Sequence, residues 1–235
     1  MSHLDPAGAW DALTRFAAVV GVALGALLPI VDPLGGAPVF LSATAELTTE
    51  QRRTVVRAVS LNSFALLLGS VLIGSYVLDL FGLSISAVQI GGGLVICAIA
   101  WSLLNAPTSM APLAGKAPAA MATDDLGARA FYPLTMPLTV GPGSISVAIT
   151  LGANPEHGSR ALTLTTLAHV VGVVLVSLSI YLCYRYADRI LKVMGPVGTS
   201  VVVRLTAFIL LCIGVQITWN GVYALLVSAL QSAAH

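Results

Sequence analysis

The chain has 235 residues, 57% of them hydrophobic and only 9% charged, with a formal net charge of +1. Soluble domains carry about 25% charged residues, so this composition, with a mean hydropathy of +0.93, excludes an ordinary soluble domain and predicts an integral membrane protein. The near-neutral balance also lacks the electrostatic footprint of a nucleic-acid binder, and no nucleic-acid partner is expected.

The expected fold is an all-α membrane protein with six transmembrane helices. Each apolar run reaches or approaches the ~20 residues that cross a ~30 Å hydrocarbon core. Met1–Asp11 lacks a basic stretch followed by an apolar run, so no cleavable signal peptide is expected and span 1 itself directs insertion. Span 1 begins near Trp10–Phe16 and ends around Thr44. Span 2 covers about Val55 to Leu80, span 3 about Ser84 to Leu104, and span 4 about Phe131 to Leu151. Span 5 runs from about Ala161 to Tyr186 and span 6 from about Thr199 to Leu226.

Two of these spans are broken. Span 1 contains Leu28-Pro29-Ile30-Val31-Asp32-Pro33-Leu34-Gly35-Gly36-Ala37-Pro38, and span 4 contains Met136-Pro137-Leu138-Thr139-Val140-Gly141-Pro142-Gly143-Ser144. Helix breakers in lipid need partners for the backbone groups they free. Interruptions at corresponding places in two halves of a membrane protein point to a transport site. In the first, a helix end, a few extended residues and a new helix start near Pro38 are expected. In the second, Pro137, Gly141, Pro142 and Gly143 allow the same, with Ser144 as N-cap. Helix N-termini facing each other there would suit a carboxylate, and freed carbonyls an ammonium group or a cation, so the pair matches an amino-acid zwitterion.

A repeat supports the pairing of the halves. Gln89–Cys97 can be laid on Arg204–Cys212, each preceded by a glycine-bearing turn, Phe81-Gly82 and Met194-Gly195-Pro196. A three-span repeat is inverted in its second copy, related to the first by a pseudo-two-fold axis in the membrane plane. The expected organisation is residues 1–104 as the first repeat, 105–128 as a flexible cytoplasmic linker with Pro107, Pro112, Pro118, Asp124 and Asp125, and 129–235 as the inverted second repeat.

Orientation follows from the basic residues. Arg52, Arg53, Arg57, Lys116, Arg129, Arg185, Arg189 and Lys192 flank the loops after spans 1, 3 and 5, against Arg15 and Arg160 on the other side. The positive-inside rule then puts those loops in the cytoplasm and both termini outside. Trp10, Trp101, Trp219 and Tyr223 lie near span ends, where aromatic belts form.

Among side chains within the spans, Asp32 is the acidic residue well inside, a functional candidate by default. It would carry a proton, ligate a cation or pair with a substrate ammonium; alternatively it caps the break in its own helix. Arg204 would clamp a carboxylate or pair with Asp32, or else snorkel from the start of span 6. His169 would relay protons or donate an interhelical hydrogen bond. Asn62, Gln89, Thr135, Thr139, Gln216 and Asn220 are further polar candidates, and Gly91-Gly92-Gly93 lets spans pack closely. Cys97, Cys183 and Cys212 lie in or at the edge of apolar spans without paired spacing, so neither a disulfide framework, a metal site nor a cofactor is expected.

At the two broken segments the chain resembles the MarC family of six-span inner-membrane proteins. The carrying pieces are Asp32-Pro33-Leu34-Gly35-Gly36-Ala37-Pro38-Val39-Phe40-Leu41-Ser42 and Pro133-Leu134-Thr135-Met136-Pro137-Leu138-Thr139-Val140-Gly141-Pro142-Gly143-Ser144-Ile145, and the resemblance runs from Phe16 to about Val222. Arg204-Leu205 resembles the family's arginine at the start of the last span, whereas Gln89 stands where many members carry an arginine. The resemblance implies a bacterial inner-membrane location. It also implies a kinship with proton-coupled archaeal carriers of small neutral amino acids such as glycine and alanine.

The resulting expectation is a secondary transporter of a small neutral amino acid, coupled to protons through Asp32 or His169 and free to form homo-oligomers. Its substrate site would comprise Asp32, Pro33, Gly35, Gly36, Thr139, Gly141, Pro142, Gly143, Ser144 and Arg204. The rivals are a non-transporting membrane scaffold or regulator and a membrane-embedded lipid enzyme. For the enzyme, His169 is isolated and no His/Asp/Glu constellation is present in the sequence, so no catalytic residue is expected.

Overall fold

The computed structural model describes residues 6–105, 126–153 and 159–233. The described residues are helical. α1 (Pro6–Val31) and α2 (Pro33–Ala43) form the first broken span, followed by α3 (Thr49–Leu80) and α4 (Ile85–Leu104). A short α5 (Leu126–Arg129) passes into a wide, π-type segment (Ala130–Thr139). Then come α6 (Pro142–Gly152), α7 (Ser159–Arg185) and α8 (Ala187–Ala233). Residues 106–125 of the expected linker lie outside the described residues.

Five helices are long and apolar enough to cross a membrane; Leu126–Thr139 with Pro142–Gly152, bent by 72°, is a sixth if counted as one span. Their outer faces carry exposed Leu61, Ile73, Leu94, Phe208 and Ile209, an apolar surface far larger than soluble monomers tolerate. Trp101, Trp219 and Tyr223 are exposed as well.

Local chemistry sets the boundaries. α3 starts six residues before the expected Val55, because Thr48 and Gln51 form a reciprocal capping box: the Gln51 N–H donates to Thr48 Oγ1 (3.3 Å) and the Thr48 N–H to Gln51 Oε1 (3.0 Å). Ser84 Oγ accepts from the Ala87 N–H (3.1 Å) and starts α4. The chain leaves α3 through Gly82 at φ 66° and turns inside α8 at Gly195, φ 65°. Both values lie in the left-handed region that glycine enters without penalty. Gly195 separates a short segment starting at Ala187 from the apolar stretch Val197–Gln231, which opens within two residues of the expected Thr199.

The main core gathers Leu27, Phe40, Val55, Val59, Leu134, Val140, Val173 and Tyr184 from both halves of the chain. α1 packs on α7 and α3 on α6, while α4 touches α6 and α2 touches α8; α3 also meets α7. α4 makes its most extensive contact with α8. There Gly93 and Gly214 face each other so closely that a Cβ on Gly214 would lie 2.9 Å from the Gly93 carbonyl oxygen, and one on Gly221 2.7 Å from that of Ser86. Cys97 Sγ approaches the Leu211 carbonyl at 3.8 Å. Ascending α4 thus meets descending α8, and the two are antiparallel. At the opposite end of the molecule from the start of α1, Arg52 donates to Asp188 Oδ2 (3.1 Å) and to the Thr44 carbonyl (3.1 Å), joining α2, α3 and α8.

Candidate functional site

The first break is one residue long. Asp32 sits at φ 44°, ψ 65°, a left-handed conformation that Asp and Asn tolerate better than most residues. Its N–H donates to the Leu28 carbonyl (3.0 Å) and its own carbonyl accepts from the Gly36 N–H (2.9 Å). Its carboxylate Oδ1 accepts from the Gly35 N–H (2.9 Å). Asp32 is therefore the N-cap of α2. The expected extended residues and restart near Pro38 do not occur: Pro33 opens α2 at once and Pro38 lies inside it. The reason is that proline at the first helical position lacks only an N–H that would stay unpaired there, while the Asp32 cap supplies the partner for Gly35. A Cβ on Gly35 would overlap the Asp32 carboxylate, so the cap needs glycine at that position.

The second break is wider. Pro133 and Pro137 carry no N–H, and the peptide bonds before them are cis. The Thr135 hydroxyl donates to the Ala130 carbonyl (2.7 Å) and the Thr139 hydroxyl to the Leu134 carbonyl (2.7 Å). Side chains thus take over acceptors that water would satisfy in a soluble loop. Val140 and Gly141 are extended, and α6 restarts at Pro142. Gly141 is its N-cap, without a side-chain cap bond. Ser144 is not the expected cap. With Pro142 in the first helical position, Ser144 falls in the first turn, where its hydroxyl donates back to the Gly141 carbonyl (2.9 Å). Gly143 packs on Ile96 of α4 with no room for a Cβ, and the Ser146 hydroxyl donates to the Val88 carbonyl (2.8 Å). A cavity of about 320 Å³ between α4 and α6 reaches Pro142, with Gly91 and Gly92 on its α4 wall.

The two breaks meet at Tyr184, a residue that nothing in the sequence pattern singles out. It is fully buried in the last turn of α7. Its ring stacks on Phe40 of α2 at 4.5 Å between centroids and 17° between planes. Its hydroxyl lies 3.0 Å from Thr139 Oγ1. Since the Thr139 proton is directed at the Leu134 carbonyl, Tyr184 is the donor of this bond. The same hydroxyl presses on Gly36, where a Cβ would come within 2.7 Å of it. One phenol therefore fills the space between the start of α2 and the end of the π-type segment. At the end of an apolar run it reads like any interfacial aromatic, and only the packing of α7 reveals its place.

The other expected site residues lie elsewhere. Pro142 and Gly143 lie against α4, Pro142 at the cavity there and Gly143 on Ile96. Arg204 is exposed on α8. His169 is buried on α7, a long stretch of helix away from Tyr184, and lines a separate cleft.

Long apolar helices, two of their lines broken, around a shared polar junction define a polytopic α-helical membrane protein with irregular backbone in its interior. Residues 17–226 match the family described as MarC family integral membrane protein, and the chain belongs to that family. It is 30% identical to the inner membrane protein MarC of Salmonella arizonae over 206 residues, covering 86% of this chain and 93% of that relative. It is likewise 30% identical to that of Escherichia coli O1:K1 over 207 residues, and 29% identical to that of Citrobacter koseri over 206, each with the same shares covered. No solved structure matches. The relatives' names support an inner-membrane, multi-pass location for this chain.

Proposed function

We propose that the protein is a secondary transporter of a small polar solute, a neutral amino acid of the glycine or alanine type, moved with protons by way of Asp32. The observation that carries this reading is the junction at Tyr184, where the breaks of both halves share one buried phenol. Broken helices gathered at one point are the recurrent construction of solute sites in secondary transporters. A bond network that closes on itself through a single side chain can open when that side chain turns away.

The reading includes an inverted repeat, residues 1–104 against 129–235. Exchange of the halves turns the contacts of α1 and α2 with α7 into those of the π-type segment and α6 with α3, and the α4–α6 contact into α2–α8. It maps α4–α8 and α3–α7 onto themselves. The antiparallel α4 and α8 come together around Cys97 and Leu211, which are neighbours of each other's repeat counterparts, as an axis between them requires. Gly82 and Gly195 occupy like turns at φ 66° and 65°. Orientation, with both termini outside, rests on the basic loops.

Reconstituted into proteoliposomes, the protein should take up labelled glycine or alanine saturably, and faster with an imposed pH gradient. Asp32→Asn keeps both the αL tolerance and an acceptor for the Gly35 N–H, so it should fold and lose only the pH-gradient dependence. Absence of saturable flux for any small neutral amino acid would refute the substrate assignment. An Asp32→Asn protein that still responds to the gradient would remove Asp32 as the coupling group.

A further inference from the structure

A second polar feature lies away from the Tyr184 junction. A cleft of about 470 Å³ is lined by Val19 and Val22 of α1, Thr150 and Ala153 at the end of α6, and Thr165 and His169 of α7. His169 is only 7% exposed, and its ring makes no hydrogen bond to another described residue. Its ring nitrogens are not among the polar atoms shut away without a partner, so they face the cleft and take their partners there from water or a ligand. The Thr150 hydroxyl directs its proton to the Ser146 carbonyl (3.0 Å) and thus offers its oxygen to the cleft as an acceptor. Neutral imidazole offers one donor and one acceptor. Among the described residues no Asp, Glu, Lys or Arg lines the walls, so these walls offer an occupant with net charge no ion pair.

Its position is as informative as its lining. At 1.5 Å per residue, about 15 Å of α1 separates Val22 from Asp32, about 12 Å of α6 separates Thr150 from Pro142, and about 22 Å of α7 separates His169 from Tyr184. All three displacements run the same way, toward the ends of α1 and α7 that the basic loops assign to the outside. At ~30 Å³ per water the volume holds roughly fifteen water molecules, room for a small solute that keeps part of its hydration.

We propose that this cleft is the outer station of the transport path, binding a small solute of zero net charge that both donates and accepts hydrogen bonds, with His169 and Thr150 as its contacts. The inference rests on the transporter reading and deepens it: the solute would pause here before Tyr184 yields the inner site.

The test uses thiol labelling, which needs no flux. In the full chain with Cys97, Cys183 and Cys212 replaced by alanine, Val22→Cys and, separately, Thr165→Cys should react with a membrane-impermeant methanethiosulfonate applied outside intact cells. Saturating glycine or alanine should slow the reaction. His169→Ala should raise the protecting concentration about tenfold, the loss of one hydrogen bond, and His169→Gln should restore part of it. Labelling that neither solute slows, or that proceeds only from the cytoplasmic side, overturns the outer station. Equal protection in His169→Ala and the parent removes His169 as a contact. Failure of the transport reading is separately visible as absent flux in proteoliposomes of the unmodified protein.

Discussion

Asp32 and Tyr184 do different work within the same junction. Asp32 holds backbone: its left-handed φ turns the chain, and its carboxylate receives the Gly35 N–H. Tyr184 holds side chains together, with its ring on Phe40 and its hydroxyl on Thr139. Tyr184→Phe keeps the stack and deletes one bond, leaving the Thr139 hydroxyl its own acceptor at Leu134. The loss should be about 1 kcal/mol, read as a lower melting temperature in detergent, while transport in proteoliposomes should change more than stability if the phenol must move in each cycle. A variant that melts several degrees lower yet transports normally would make Tyr184 a packing residue alone.

At the scale of elements, proline placement and small residues decide what forms. Pro33 and Pro142 each occupy the first position of a helix, where proline costs nothing in hydrogen bonds; the prolines that look like breakers at Pro29 and Pro38 sit within helices. This is why the existence of both breaks was legible from the residues but the extent of the first was not. The π-type segment was not legible either, because its carbonyls are satisfied by Thr135 and Thr139 through bonds that no propensity records. The α4–α8 crossing depends on absent side chains. A Cβ on Gly93 would overlap Thr218 and come within 2.7 Å of the Gly214 carbonyl oxygen. Gly93→Val should therefore cost about 1–3 kcal/mol, measured by thermal unfolding in detergent, whereas Gly91→Val, where nothing lies within 4 Å, should be nearly neutral.

At the scale of the molecule, the two halves interlock instead of standing side by side: helices of residues 6–105 pack mainly on helices of residues 126–233, and Arg52 reaches Asp188 across that division. Neither half therefore buries its apolar surface alone. The basic residues predict that epitope tags at both termini are accessible to antibody in intact spheroplasts, with a tag after Glu46, in the turn between α2 and α3, accessible only after permeabilisation; the reverse pattern would invert the assigned direction of the His169 cleft.

The chain's own composition determined that it lives in a membrane, because nearly continuous apolar runs leave no other solvent for its surface, and its paired Pro/Gly interruptions determined which spans would break. Family membership was legible from the same two segments. Only the tertiary structure decided which residues those breaks bring together. Tyr184, Gly36 and Thr139 are far apart along the chain and carry no mutual spacing signal, and their meeting depends on how α7 crosses α2 and the π-type segment. His169 and Thr150 come to line one cleft in the same way, through helices whose separate periodicities contain no record of each other.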